Sequence, residues 1–171
     1  MFKMILISVA LVPALASASL NAQSIEHKAK PEPFTFRQGQ SVYIAAFHHE
    51  ESPRQSAFGQ IVIGENLAAQ GRIRKEFEKW QAFKIVDRLT EADFVFVIYI
   101  HDSAAEGLAI APENYNQFKE DLYKSDLVAS RETAYGRFLV GPYKIPTLGK
   151  ISTQLVRKFQ AETKINIKIK L

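Results

Sequence analysis

The chain has 171 residues, 47% hydrophobic and 23% charged, which bounds it to one domain or two small ones and excludes a wholly disordered, collagen-like or polytopic membrane protein. Twenty-two Lys and Arg against eighteen Asp and Glu leave a net charge of +4, too mild to point to nucleic acid. There is no cysteine, which excludes disulfides, Cys-ligated zinc and a thiol nucleophile.

The chain opens on an export pattern. Lys3 supplies a positive start, Ile5 to Val12 a short apolar core, Pro13 a break, and Ala16-Ser17-Ala18 the small residues that signal peptidase needs. Residues 1–18 are therefore read as a signal peptide cut between Ala18 and Ser19, which makes the mature protein periplasmic or secreted. The apolar run is too short to span a bilayer, so no transmembrane segment is expected in the mature chain. No cysteine follows the cut, which excludes a lipid anchor there. A mature chain of about 153 residues buries roughly 68–70% of its unfolded surface, enough to be stable through its core alone. Residues 19–36, with Lys28, Lys30, Pro31 and Pro33, read as a flexible tether, with order beginning near Phe34-Thr35-Phe36.

A single domain is predicted over 37–171. Ser41 to Phe47 is β-branched, aromatic and apolar, a buried first strand. Gln60 to Ile63 is a short apolar run, an edge strand or the approach to a helix. Ala69, Ile73, Phe77 and Trp80 recur at helical spacing, predicting a helix over Asn66 to Gln81, with Arg72–Glu76 and Arg74–Glu78 as i,i+4 pairs on its outer surface. Gly71 lies inside this stretch and argues for a late start. Phe83 to Asp87 alternates as a half-buried strand. Phe94 to Ile100 is apolar throughout, a strand covered on both faces. Only six residues part these two strands, which predicts an antiparallel pair. Residues 101–134 read as an insertion with one short helix after Pro112, carrying Tyr115, Phe118 and Leu122, and a second after Asp126. Arg137 to Val140 is the next strand. Leu148, Ile151, Leu155 and Phe159 mark a second long helix, opened by Pro146. The tail 164–171 alternates lysine or asparagine with Ile or Leu. The fold class is α/β: a small mixed sheet of four or five strands with two long helices packed on one face.

Charge is segregated along the chain. Residues 89–132 hold nine acids and three bases, and residues 136–171 eight bases and one acid. The expectation is partial neutralisation of one region by the other, with Lys168 and Lys170 still exposed.

Few residues suggest chemistry. His48, His49, His101 and Asp102 end apolar strands, where imidazoles and carboxylates can act as acid, base or metal ligand. Their spacing matches no zinc motif. If the first strand runs opposite to the third, His48 and His101 lie at opposite edges of the sheet. His101-Asp102-Ser103 sets the triad residue types side by side, although triads assemble in space. There is no nucleophile elbow, phosphate loop or dinucleotide fingerprint, so no cofactor, metal or nucleotide is expected. Phe77 with Trp80, and Phe96 with Tyr99, read as core. The basic C-terminus is the stronger candidate: Lys150, Arg157 and Lys158 on the last helix, then Lys164, Lys168 and Lys170. Such a surface suits an envelope protein or other anionic surface. A lysine-lined edge strand guarding against aggregation is the favoured reading of the tail, because the alternation accounts for every lysine in it.

The succession of a strand (Val42 to Phe47), a helix ending Glu76-Phe77-Glu78-Lys79-Trp80, a strand (Phe83 to Val86) and Glu91-Ala92-Asp93-Phe94-Val95-Phe96-Val97 resembles small uncharacterised bacterial secreted proteins. More distantly it is similar to periplasmic α/β domains of envelope-assembly proteins, such as curli-secretion lipoproteins and the N-terminal domain of the Tol-system propeller protein. Ala134 to Pro142 and Pro146 to Gly149 share the pattern of the first group. The resemblance spans about residues 40–160 and implies binding or scaffolding in the envelope, with no catalytic residues. The lipidated cysteine of the lipoprotein members is missing. The expected function is thus a non-enzymatic exported protein that binds another envelope component. The alternatives are a hydrolase or metal-dependent enzyme using the loop histidines, and a structural or stress factor without a defined ligand.

Overall fold

The computed structural model describes residues 34–50, 62–101, 104–143 and 147–165. Six strands form one mixed sheet: β1 (Ser41–Glu50), β2 (Val62–Glu65), β3 (Lys84–Val86), β4 (Phe94–His101), β5 (Ala104–Ile110) and β6 (Gly136–Val140). Their order is β2-β1-β4-β5-β6, with β3 beside the first residues of β1. Four helices cover it: α1 (Leu67–Trp80), α2 (Tyr115–Tyr123), α3 (Val128–Glu132) and α4 (Leu148–Thr163).

The alternation of each strand sorts the core into two layers. Val42, Ile44 and Ala46 of β1 and Phe94, Phe96 and Ile98 of β4 face α1 and α4, so both long helices share one side of the sheet. Ala45 and Phe47, with Val95 and Val97, face α2 on the other side. Both central strands are thus buried on both faces, which is why they read as unbroken apolar runs. The first layer is packed with rings. Phe159 of α4 alone meets seven others within 6 Å.

Several expectations are corrected. β3 and β4 are not an antiparallel pair: both run parallel to β1, on its opposite edges. The long-crossover rule assumes a return along a full strand. Here β3 is three residues long, so the link from Val86 at the level of Tyr43 to Phe94 at the level of Val42 needs almost no return. A 3₁₀ turn at Leu89–Glu91 makes the crossing, and Asp93 fixes it by accepting hydrogen bonds from the Ser41 N–H (2.6 Å) and hydroxyl (2.8 Å).

Residues 101–134 are not simply an insertion, because β5 lies within them and pairs with β4 and β6. Its sequence, AAEGLAI, is poor in β-formers because one side must be small. A Cβ on Gly107 would stand 3.1 Å from the Phe96 ring and 3.3 Å from Leu155. Gly71 does not delay α1, which starts at Leu67 behind Asn66, whose side chain accepts from the Ala69 N–H at 2.9 Å. Phe34 and Phe36, where order is expected to begin, join the core: Phe34 stacks on Tyr135 at 4.1 Å and Phe36 packs edge-on to Phe159. At the other end Lys164 closes α4 in the left-handed conformation rather than starting a strand. Residues 166–171, with Lys168 and Lys170, lie outside the described residues, as do Ala18, Ser19, Asp102 and Pro146.

Candidate functional site

The histidines come first. Because β1 and β4 are parallel, with His48 paired to Ile100, His48 and His101 end at the same edge of the sheet, not at opposite ones. The pleat still parts them. His48 is in phase with Val42, Ile44 and Ala46, toward α1 and α4. His101 is in phase with Val95 and Val97, and its ring lies 5.4 Å from Tyr99 on the other side. His49 pairs with Ile63 on the ladder between β1 and β2. Among the described residues no three His, Cys, Asp or Glu side chains gather as a metal would require. Tyr115, beside a cavity of about 20 Å³ that also touches Tyr43, Glu65 and Gln70, has its hydroxyl pKa pushed well up by burial and then by Tyr43 and Glu65. It stays protonated at neutral pH.

A charged cluster that the sequence did not single out sits under α3. Glu106 of β5 is only 2% exposed. Arg131 of α3 donates from Nε (2.9 Å) and Nη2 (2.7 Å) to its two carboxylate oxygens, and Arg137 of β6 donates from Nε at 2.5 Å. Burial opposes ionisation of Glu106, but the two guanidinium groups outweigh it and hold its pKa below the usual 4.5. This cluster pins α3 to the sheet. Its neighbour Asp121 joins α2 to α3, accepting from Gln117 and Ser130 at 2.6 Å.

The basic candidates fall on α4, and their roles diverge. Lys158 donates to the carbonyl of Leu139 on β6, the last strand of the sheet, and so covers an edge group that would otherwise recruit another strand. Lys150 lies over the Tyr143 ring at 4.8 Å. Lys150, Arg157 and Lys164 are exposed and seven residues apart, so they form one stripe facing away from the core. None of the three makes an ion pair among the described residues. Among the described residues the acidic and basic parts of the chain neutralise each other only in part, as expected: Arg137 pairs with Glu106, whereas the bases of α4 lie on one side of the sheet and α2 and α3 on the other. The α1 and α4 helices carry seven basic and three acidic residues, whereas 112–132 carries three basic and five acidic.

A basic cleft lies away from the basic C-terminal residues and the histidines that the sequence offered as site candidates. Between α1 and α4 is a space of about 350 Å³ lined by Arg72, Lys75, Glu76 and Lys79 on one side and Gly149, Ser152 and Thr153 on the other. The expected Arg72–Glu76 and Arg74–Glu78 pairs do not form. Arg74 reaches Asp87 at 2.6 Å and Glu76 takes Lys79 at 2.7 Å. The spacing of Arg72, Lys75 and Lys79 at i, i+3 and i+7 was the available signal.

No protein-family model matches the chain, and no curated protein matches it. Among solved structures it is similar to a PelC dodecamer from Paraburkholderia phytofirmans, at 10% identity over 80% of this chain and 96% of that one, with a TM-score of 0.41. A likeness of that degree bears on neither partner nor activity. Among the described residues no helix is long and apolar enough to cross a membrane.

Proposed function

We propose that this is an exported, non-enzymatic protein that binds an anionic component of the cell envelope through the outer surface of its α1–α4 layer. The observation that carries this reading is the exposed stripe Lys150, Arg157 and Lys164, on the side of the sheet away from the acidic helices. Opposite charge on opposite layers orients such a molecule toward an anionic surface before contact. The export pattern before Ser19 and the likeness to envelope-assembly domains support the setting.

The test is retention on phosphatidylglycerol vesicles, against phosphatidylcholine, at low and physiological salt. Basic residues near an anionic surface contribute about 1 kcal/mol each, so Lys150→Glu, Arg157→Glu and Lys164→Glu together should lower retention by at least about a hundredfold. No retention of the wild type at low salt, or equal retention of the triple variant, overturns the reading. Mass spectrometry of the native protein should find Ser19 first; an intact Met1 refutes export.

A further inference from the structure

We infer that the cleft between α1 and α4 is a specific site for a phosphomonoester, one doubly charged phosphate group on a small organic body. The inference rests on the proposal that this layer is the anion-binding one, and gives it a defined ligand chemistry. The cleft's volume, about 350 Å³, falls within the range of roughly 300–1,000 Å³ usual for small-molecule sites and exceeds what a bare anion fills.

Its charge is specific. Lys79 is neutralised by Glu76 at 2.7 Å, whereas Arg72 and Lys75 have no acidic partner among the described residues. Two unneutralised cations one helical turn apart on α1 match a dianion. The guanidinium of Arg72 offers paired N–H donors that fit two phosphate oxygens, and the ammonium of Lys75 adds a point charge.

The facing wall is built to leave room. Gly149 has no side chain, and a Cβ there would come within 3.2 Å of Arg72 Nη1. Ser152 turns its hydroxyl inward to the Leu148 carbonyl at 2.6 Å. Thr153, half-buried on the same wall, has a hydroxyl that makes no hydrogen bond among the described residues and can donate to a phosphate oxygen.

The test is calorimetric titration of the mature chain with phenyl phosphate and with phenyl sulfate, which share an organic body but differ in charge above pH ~7, where a phosphomonoester is a dianion. Saturable one-to-one binding of phenyl phosphate is expected, at least about tenfold tighter than phenyl sulfate, as befits one further charge-assisted contact. Arg72→Gln with Lys75→Gln should abolish it while leaving the melting temperature unchanged, because both side chains are exposed. Gly149→Leu, which fills the cleft without removing charge, should abolish it too. Phosphatidic acid vesicles against phosphatidylglycerol vesicles distinguish a lipid source from a free ester: a preference lost in Arg72→Gln, Lys75→Gln places the phosphate on a lipid, and its absence leaves the soluble ester. Unsaturable binding, equal affinity for the two anions, or binding unchanged in the variants overturns the site. If phenyl phosphate fails while phosphatidylglycerol retention still depends on Lys150, Arg157 and Lys164, only the cleft is refuted and the broader function stands.

Discussion

Glu106 shows how much one residue's surroundings decide. A carboxylate that is 2% exposed is costly unless it is paired, and Arg131 and Arg137 pair it from two different elements. Because its folded pKa lies below the usual 4.5, the pair stabilises the fold fully above that value and loses its contribution as pH falls through the folded value. Glu106→Gln should cost about 1–3 kcal/mol at neutral pH, since the carboxamide accepts only part of the donated hydrogen bonds. It should also flatten the loss of stability as pH falls below the ordinary carboxylate value of 4.5, because the carboxamide has no proton to take up. Urea denaturation across that range measures both. Parallel acid profiles for variant and wild type would show that other carboxylates set the acid limit. Nothing in the sequence marks this residue, because its partners lie 25 and 31 positions downstream.

At the scale of elements, glycine separates what was legible from what was not. The helical faces of α1 and α4 were readable from spacing, as Ile73, Phe77, Leu155 and Phe159 confirm by being buried. The late start expected for α1 does not occur because a cap at Asn66 outweighs one glycine. A Cβ added at Gly71 would meet nothing within 4 Å, so Gly71→Ala should stabilise by about 0.5–1 kcal/mol. Strand β5 escapes the sequence pattern because Ala105, Gly107 and Ala109 are poor β-formers, chosen for size under the rings of Phe96 and Phe138 and the side chain of Leu155. There the same substitution has the opposite sign: Gly107→Ala should destabilise by about 1–3 kcal/mol through overpacking. Thermal melts of the two variants should move in opposite directions. A rise for Gly107→Ala would mean that α4 can lift off the sheet without cost.

For the whole molecule, the segregation of charge was visible along the chain, but its direction was not. Arg137 of β6 meets Glu106 of the neighbouring strand β5, but the bases of α4 are kept from the acids of α2 and α3 because the helices pack on opposite sides of the sheet, which no spacing along the chain reveals. The two layers share one sheet, and from Val42 to Phe47 and from Phe94 to Ile98 successive side chains face opposite layers. Loss of either layer therefore strips apolar cover from the same two strands, so the domain should unfold as one unit. Trp80, the single tryptophan, reports on the α1–α4 layer, where it packs on Phe83 at 5.1 Å and Phe159 at 5.7 Å. Phe118 lies in the other layer, 1% exposed and 6.0 Å from Phe47. Phe118→Ala should cost about 3–5 kcal/mol. Although Phe118 is across the sheet from the probe, the Trp80 fluorescence transition in urea should move to lower denaturant together with the far-ultraviolet circular dichroism transition. A Trp80 transition left at the wild-type midpoint, with helix signal lost separately, would show that the layer carrying the basic surface stands without the layer carrying the acidic one.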